Sequence, residues 1–294
     1  MPIPSAPLLD KQGFTDLAHR VRNRPARPRQ AQQGAAAAHA LVQLGLTVSL
    51  GEGPAEPVLP SSRAAAEGVP QPYRLTDWVE RGDDWEAVNH RFEVDVHGAA
   101  SMTHIDAVDH FRWDGAPALA PEVGTLDRLS DGLLSRGVLL DVPGVTGAPV
   151  PPGHVITLAE VCEALDRQQT ELRPGDALYI NLGRAGARCS HVELGSEPVA
   201  GLSIECAEWL AEAAPSVVIT DAGLDPTPSQ VTGLPVPWHL LLLTVLGIPL
   251  VDMAKLGPLA DTCRRLGRWE FLSVMAPLPL RGASGSPVNP LAVF

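Results

Sequence analysis

Thr103-His104-Ile105-Asp106-Ala107-Val108-Asp109-His110 is the stretch on which the reading of this chain turns. In an extended strand, alternate side chains share one face. His104, Asp106 and His110 then point the same way, interrupted only by Val108, while Asp109 has the opposite parity. His104 and Asp106 are separated by roughly 7 Å along such a strand. Imidazole and carboxylate together suit zinc, manganese or iron. Ionisable groups on one face of a strand rich in Ile, Val and Ala are costly unless they bind something. The competing reading is a solvated strand edge that happens to carry histidines.

One strand cannot close a coordination sphere, and the segment Pro237 to Met253 offers the missing donors. From His239 to Leu246 a helix advances about 10–12 Å at 1.5 Å per residue. Gly247 turns the chain, and Ile248 to Asp252 returns about 13 Å as a strand. The two lengths nearly cancel, so His239 and Asp252 are expected to meet. An Asp on a strand reading Ile-Pro-Leu-Val-Asp-Met is an unusual core residue without a partner. The alternative is a histidine at a helix start beside a structural carboxylate.

His110 is the candidate for proton transfer, because an imidazole with a pKa near 6.5 can accept and return a proton at neutral pH. It lies about 13 Å of straight strand beyond Asp106, so a bend must bring it near. A third metal ligand is the other role open to it. Trp78, Trp113 and Trp238 are candidate walls of a substrate pocket, with core packing as the alternative.

The residues around the motif carry a resemblance. Val96-His97-Gly98, then Thr103-His104-Ile105-Asp106-Ala107, His110-Phe111 and Asp114-Gly115, resemble the metal motif of the bacterial cyclase family, which includes kynurenine formamidase and isatin hydrolase. Gly201-Leu202-Ser203, Glu208-Trp209-Leu210, Thr220-Asp221 and Trp238-His239-Leu240-Leu241-Leu242 resemble further blocks of that family, as does the ending from Ala276 to Ala292. Gly34-Ala35 and Gly45–Leu50 are similar to its longer, cyclase-like branch. The resemblance implies a swivelling β/α/β fold, a mixed sheet curled around a metal pocket. It also implies one divalent metal ion, Mn2+ or Zn2+, on His104, Asp106, His239 and Asp252. In the family the second His is followed about a dozen residues later by Glu; here the spacing is one longer and the acid is Asp252. Where many members carry the motif's first His, this chain has Ala100, which argues for one metal rather than two. His97, at odd parity, is expected in a turn or behind the ligands, on the substrate side. The family strand that often ends in Arg-Thr-Gly here reads Asn181-Leu182-Gly183-Arg184, so Asn181 is a candidate substrate contact and the substrate is expected to differ.

The rest of the sequence frames these residues. A chain of 294 residues with 45% hydrophobic content can bury a full core. A net charge of −12 argues against nucleic-acid and anionic-membrane partners. Cys162, Cys189, Cys206 and Cys263 form no C-x-x-C pair, and scattered thiols suit a reducing cytoplasm. The apolar run Leu240 to Leu250 is too short to span a bilayer.

Residues 1–33, rich in Arg, Gln and Pro, read as a flexible arm with a short helix at Thr15–Arg22 that packs on a partner subunit. Residues 34–294 read as one α/β (α+β) domain. Expected strands are Leu46–Leu50, Arg91–Val96, Met102–Phe111, Gly137–Val142, Ala177–Leu182, Val217–Thr220, Ile248–Met253 and Phe271–Ala276. Expected helices are Ala35–Leu44, Leu158–Gln168, Glu205–Ala213 and Pro237–Leu246, and 51–72 reads as loop.

The leading expectation is a cytoplasmic, homo-oligomeric (homodimeric or larger) metal-dependent hydrolase of a cyclic or acyl amide, acting on a small molecule. The alternatives are a non-hydrolytic cyclase or dehydratase of secondary metabolism at the same site, and a decayed ligand-binding protein.

Overall fold

The unbroken apolar runs of the sequence form the middle of one sheet. Val138–Leu140, Leu178–Ile180 and Val217–Ile219 are fully buried, the pattern of parallel strands covered on both faces. The computed structural model describes residues 8–23, 37–53, 73–97, 102–114, 126–183 and 198–294.

Nine strands make the main sheet. In spatial order they are β1 (Thr47–Ser49), β13 (Leu291–Val293), β11 (Glu270–Met275), β5 (Leu133–Asp141), β7 (Ala177–Asn181), β9 (Val217–Thr220), β10 (Leu250–Asp252), β4 (His104–Asp106) and β12 (Gly285–Pro287). The run β5-β7-β9-β10 is parallel and the flanking pairs are antiparallel. This is a curled mixed sheet of the kind expected. β6 (Val155–Ile156) and β8 (Gly201–Leu202) form a small parallel pair.

Strand alternation sends neighbouring side chains into two cores. Leu140, Ile180 and Val218 join one cluster, while Leu139, Tyr179 and Ile219 join the other. The first cluster is covered by α1 (Lys11–Arg22), α3 (Leu158–Arg167), α4 (Ala207–Ala213) and α5, which runs as Pro237–His239 and continues in π-helical turns over Leu240–Leu246. α2 (Val142–Thr146) follows β5, and α6 (Gly257–Leu266) covers the second cluster.

Three expectations need correction. The flexible arm does not hold for residues 8–23. Asp10 caps α1 by accepting from Gly13 N at 2.7 Å, and Phe14, Leu17, Ala18 and Val21, at i, i+3, i+4 and i+7, bury one stripe in the main core. Residues 1–7 and 24–36 lie outside the described residues, as do Ala100, Arg184 and Cys189.

The strand expected over Met102–Phe111 is only His104–Asp106, followed by a turn in which His110 N donates to Ala107 O at 3.0 Å. That turn is the bend His110 required. Third, Arg91–Val96 is the end of a longer strand, β3 (Glu86–Val94), paired with β2 (Tyr73–Arg81), which period-2 reasoning missed. This hairpin is a separate two-stranded sheet. No described helix is long and apolar enough to cross a membrane.

Candidate metal centre

β4 is clasped on both sides, which fixes where its side chains point. β10 places Asp252 opposite His104 and Leu250 opposite Asp106; β12 places Gly285 opposite Asp106. Cross-strand partners share a face, so His104, Asp106 and Asp252 gather on one side of the sheet. Thr103 locks the start of the strand: its hydroxyl donates to Met253 O at 2.6 Å and accepts from Glu52 N at 2.7 Å.

The fourth group arrives on α5. Pro237 opens the helix, and Gly247 closes it in the left-handed conformation at φ 62°, which glycine adopts without steric cost. The chain then returns along β10, and His239 Nε2 lies 3.2 Å from Asp252 Oδ2 and 3.9 Å from Asp106 Oδ2. The helix-out, strand-back arithmetic holds. The π-helical turns follow directly on His239, a deviation often found beside functional groups.

Hydrogen bonds on the far side of each ring fix its electronic character. His104 Nδ1 lies 2.8 Å from Met102 O; a carbonyl only accepts, so Nδ1 donates. Nε2 of the neutral ring then carries its lone pair toward Asp106 Oδ1 at 3.4 Å. His239 Nδ1 lies 2.5 Å from Asp225 Oδ2, which turns its Nε2 toward the carboxylates of Asp252 and Asp106. Oδ1 of Asp106 and Oδ1 of Asp252 are buried without a hydrogen-bond partner among the described residues. Two carboxylates gathered among imidazoles in a dry site demand positive charge between them, a proton on His239 or a cation in its place.

His97 joins the group more closely than its parity suggested. Its Nδ1 is 3.1 Å from Asp106 Oδ1, and its Nε2 shares a hydrogen bond with Ser284 Oγ at 3.2 Å. The ring stacks on His110 with centroids 3.7 Å apart and planes 13° from parallel. Gly285 makes this possible, because a Cβ there would sit 2.5 Å from His97 Cε1. Two triads result, His97-His104-Asp106 and Asp106-His239-Asp252, each with its donor atoms within 4.8 Å of one another and both sharing Asp106.

His110 stands at the edge, Nε2 4.0 Å from Asp106 Oδ2 and its side chain 21% exposed. Burial pushes its pKa down to about 4; Asp106 works against this, and His97, His239 and His104 add to it. Burial opposes ionisation of Asp106, but His97 beside it and the other three imidazoles outweigh that and hold its carboxyl below the usual range. Phe111 packs its ring against both His110 and His239, centroids 4.6 and 5.4 Å away.

Four of the expected substrate contacts have other partners in the fold. Trp238 is fully buried and donates from Nε1 to Leu202 O at 2.6 Å, so it is a core residue. Asn181 is tied into the scaffold: its Nδ2 donates to buried Asp141, which Arg264 also binds, and its Oδ1 accepts from Gly183 N. Trp78 lies on the exposed face of β2, beside Glu80. Trp113 packs against Phe14 of α1 at 5.1 Å, holding that helix to the turn after His110.

Asp225 was not singled out from sequence. It accepts from Trp238 N at 2.6 Å and orients His239. Its only signal is an acid just before Pro226, which any turn would show. Asp221, without an assigned role from sequence, accepts from Leu182 N at 2.9 Å.

Comparison with known proteins gives the same picture. A crystal structure described as a novel cyclase superposes with a TM-score of 0.73 at 26% identity, over 97% of this chain and 98% of that one. Isatin hydrolase A from Ralstonia solanacearum superposes with a TM-score of 0.56 at 18% identity, over 92% and 99%. Isatin hydrolase A from Labrenzia aggregata, bound to benzyl benzoate, gives 0.57 at 17%, over 90% and 98%. At these identities the two hydrolases share the fold. No curated protein matches the sequence. The Cyclase family model matches residues 15–225, which include the first triad but stop short of His239 and Asp252. With that match over more than half its length, the chain belongs to the Cyclase family.

Proposed function

We propose that this protein is a metal-dependent hydrolase that opens the C–N bond of a cyclic or acyl amide. The observation that carries the reading is the convergence of two imidazole Nε2 atoms, from His104 and His239, on the two oxygens of buried Asp106. The donor set fits a divalent ion: His104 and His239 supply nitrogen, Asp106 and Asp252 supply oxygen, and both carboxylates keep a buried oxygen without a hydrogen bond among the described residues. Such mixed nitrogen and oxygen sets suit zinc or manganese. A cation held there supplies Lewis acidity and lowers the pKa of water toward about 7.

The chain's own groups account for the proton traffic. His110 is neutral at pH 7 because burial depresses its pKa, so it is free to accept a proton from an attacking water. It returns that proton to the nitrogen that leaves as the C–N bond breaks, and the products are a carboxylate and an amine. Its partial exposure keeps it open to substrate, while Phe111 screens the buried side of the cluster. Asp225 and Met102 O hold the two ligand rings in the tautomer that presents Nε2.

The test is a panel of cyclic amides and N-acyl amines, assayed by mass spectrometry with metal-stripped and metal-restored protein. The reading expects products heavier by the mass of water, activity lost on chelation and restored by zinc or manganese, and about one equivalent of bound metal. Full activity in exhaustively chelated protein, or products that are isomers or dehydrated, would overturn it; the latter points to cyclisation or dehydration. Two equivalents would show that the His97 triad holds an ion of its own.

A further inference from the structure

His104, Asp106, His239 and Asp252 are all buried, so a molecule that reacts among them arrives past residues that are not. At the Asp106 end these are His97 and His110, both partly exposed. At the Asp252 end stands Gly223. It is partly exposed, while the other residues of the loop 221–225 are buried. A Cβ placed on Gly223 would lie 3.8 Å from His239 Cε1 and 4.0 Å from Asp252 Oδ2. Among the described residues, nothing else beyond its chain neighbours comes within 4 Å of that point.

Neither backbone nor packing calls for glycine here. The φ of Gly223 is outside the left-handed region that favours glycine. Both contacts of the added Cβ are ordinary van der Waals distances. Gly201 is the opposite case, since a Cβ there would meet Pro226 N at 2.4 Å. The residues around Gly223 are tied in place. Thr220 Oγ1 accepts from Ala222 N and donates to Ala222 O, and Asp221 accepts from Leu182 N. Leu224 O accepts from Leu202 N, and Asp225 holds His239. Gly223 itself makes no hydrogen bond among the described residues. A firmly held loop thus turns one bare, partly open peptide toward two of the expected ligands.

We propose that the acyl group of the substrate lies across Gly223, and that the missing side chain sets how bulky this group can be. The placement rests on the hydrolase reading. His110 stands at the Asp106 end, 4.0 Å from Oδ2, where the leaving nitrogen takes up its proton. The carbonyl side of the C–N bond then points to the Asp252 end, where Gly223 offers space and no side chain.

Two hydroxamates, which bind divalent ions through their two oxygens and differ in bulk, test this by isothermal titration of zinc-loaded protein. The wild type is expected to bind both acetohydroxamate and benzohydroxamate. Gly223→Ala should bind zinc as the wild type does and keep its affinity for acetohydroxamate within about twofold. Its affinity for benzohydroxamate should fall by about tenfold or more, as overfilling a close contact with one methyl group does. Hydrogen exchange on the wild type answers even if that variant fails to fold. Benzohydroxamate, and not acetohydroxamate, should slow exchange in the segment 221–225, where the Gly223 amide has no hydrogen-bond partner among the described residues. Equal losses for both probes, weaker zinc binding in Gly223→Ala, or no benzohydroxamate binding by the wild type each overturns the proposal. The expected pattern in a protein that hydrolyses no amide would sink the hydrolase reading and keep Gly223 as the size filter; amide hydrolysis with equal losses sinks Gly223 alone.

Discussion

His239 is held between two carboxylates on opposite sides of its ring, Asp225 at 2.5 Å from Nδ1 and Asp252 at 3.2 Å from Nε2. The two acids differ in what they can do. Asp225 also accepts from the backbone N of Trp238 and of His239, so it is fixed by the first turn of α5 and cannot turn toward a ligand. Among the described residues, Asp252 keeps one buried oxygen free of hydrogen bonds. Asp225 is therefore the group that orients the ring, and Asp252 the one with coordination to offer.

Replacing Asp225 by Asn separates these roles. The amide oxygen can still accept from Trp238 N, so the helix start survives, but the charge that fixes Nδ1–H is gone. Loss of such an orienting carboxylate typically costs 10–100-fold in metal affinity. Isothermal titration of the metal-free Asp225→Asn variant with zinc should show a drop of about that size, with a melting temperature near wild type. Unchanged affinity would reduce Asp225 to a helix cap.

The same ring couples metal, pH and stability. Burial alone would hold His239 neutral, but hydrogen bonds and charge from Asp225 and Asp252 outweigh it and raise its pKa well above the usual value. A group raised on folding contributes stability that is complete below its unfolded pKa of about 6.5 and is lost as pH rises through the folded value. Metal-free protein should accordingly lose stability on going from neutral to alkaline pH. A divalent ion takes the place of that proton, so the rise in Tm on adding zinc should be larger at about pH 9 than at about pH 6. Scanning fluorimetry at the two pH values decides, and equal rises would show that no proton is displaced at His239.

His110 answers to a different experiment. His110→Ala should lower turnover by about 10²–10⁴, the usual worth of a positioned acid–base group, while bound metal measured by emission spectroscopy stays at the wild-type level. Because its pKa is pushed down to about 4, the wild-type rate at saturating metal should stay level well below pH 6.5 before falling. Loss of metal in the variant would make His110 a ligand instead.

What the sequence disclosed and what it hid follow from the range of the forces involved. His104, Asp106 and Asp252 were legible because strand parity is local, and His239 because helix and strand rises are fixed lengths whose difference can be computed. The bend before His110 was demanded by the same arithmetic. Asn181 and Trp238 misled because a polar group or an indole at the end of an element looks the same whether it faces a pocket or a buried partner; only the fold puts Asp141 beside one and Leu202 O beside the other. Asp225 comes from a loop fourteen residues before His239, and no periodicity spans that interval. The hairpin strand β2 was missed because its apolar residues answer to neighbours across a strand.

Gly285 offers the sharpest check on the first triad. It lies opposite Asp106 on β12, the edge strand of the sheet, and an added Cβ would come within 2.5 Å of His97 Cε1. The backbone there is extended and tolerates any residue, so Gly285→Ala changes space and little else. The methyl group also meets Ile105 O at 2.8 Å, but that is backbone inside the sheet, whereas His97 is a side chain and the one to give way. Its departure removes Nδ1 from Asp106 and breaks the stack on His110. If His97 takes part in the centre, Gly285→Ala and His97→Ala should lose the same share of metal affinity and turnover, and the double variant should lose no more than either. Additive losses in that cycle would mean the two residues act separately, and a wild-type rate in both single variants would place His97 outside the chemistry altogether.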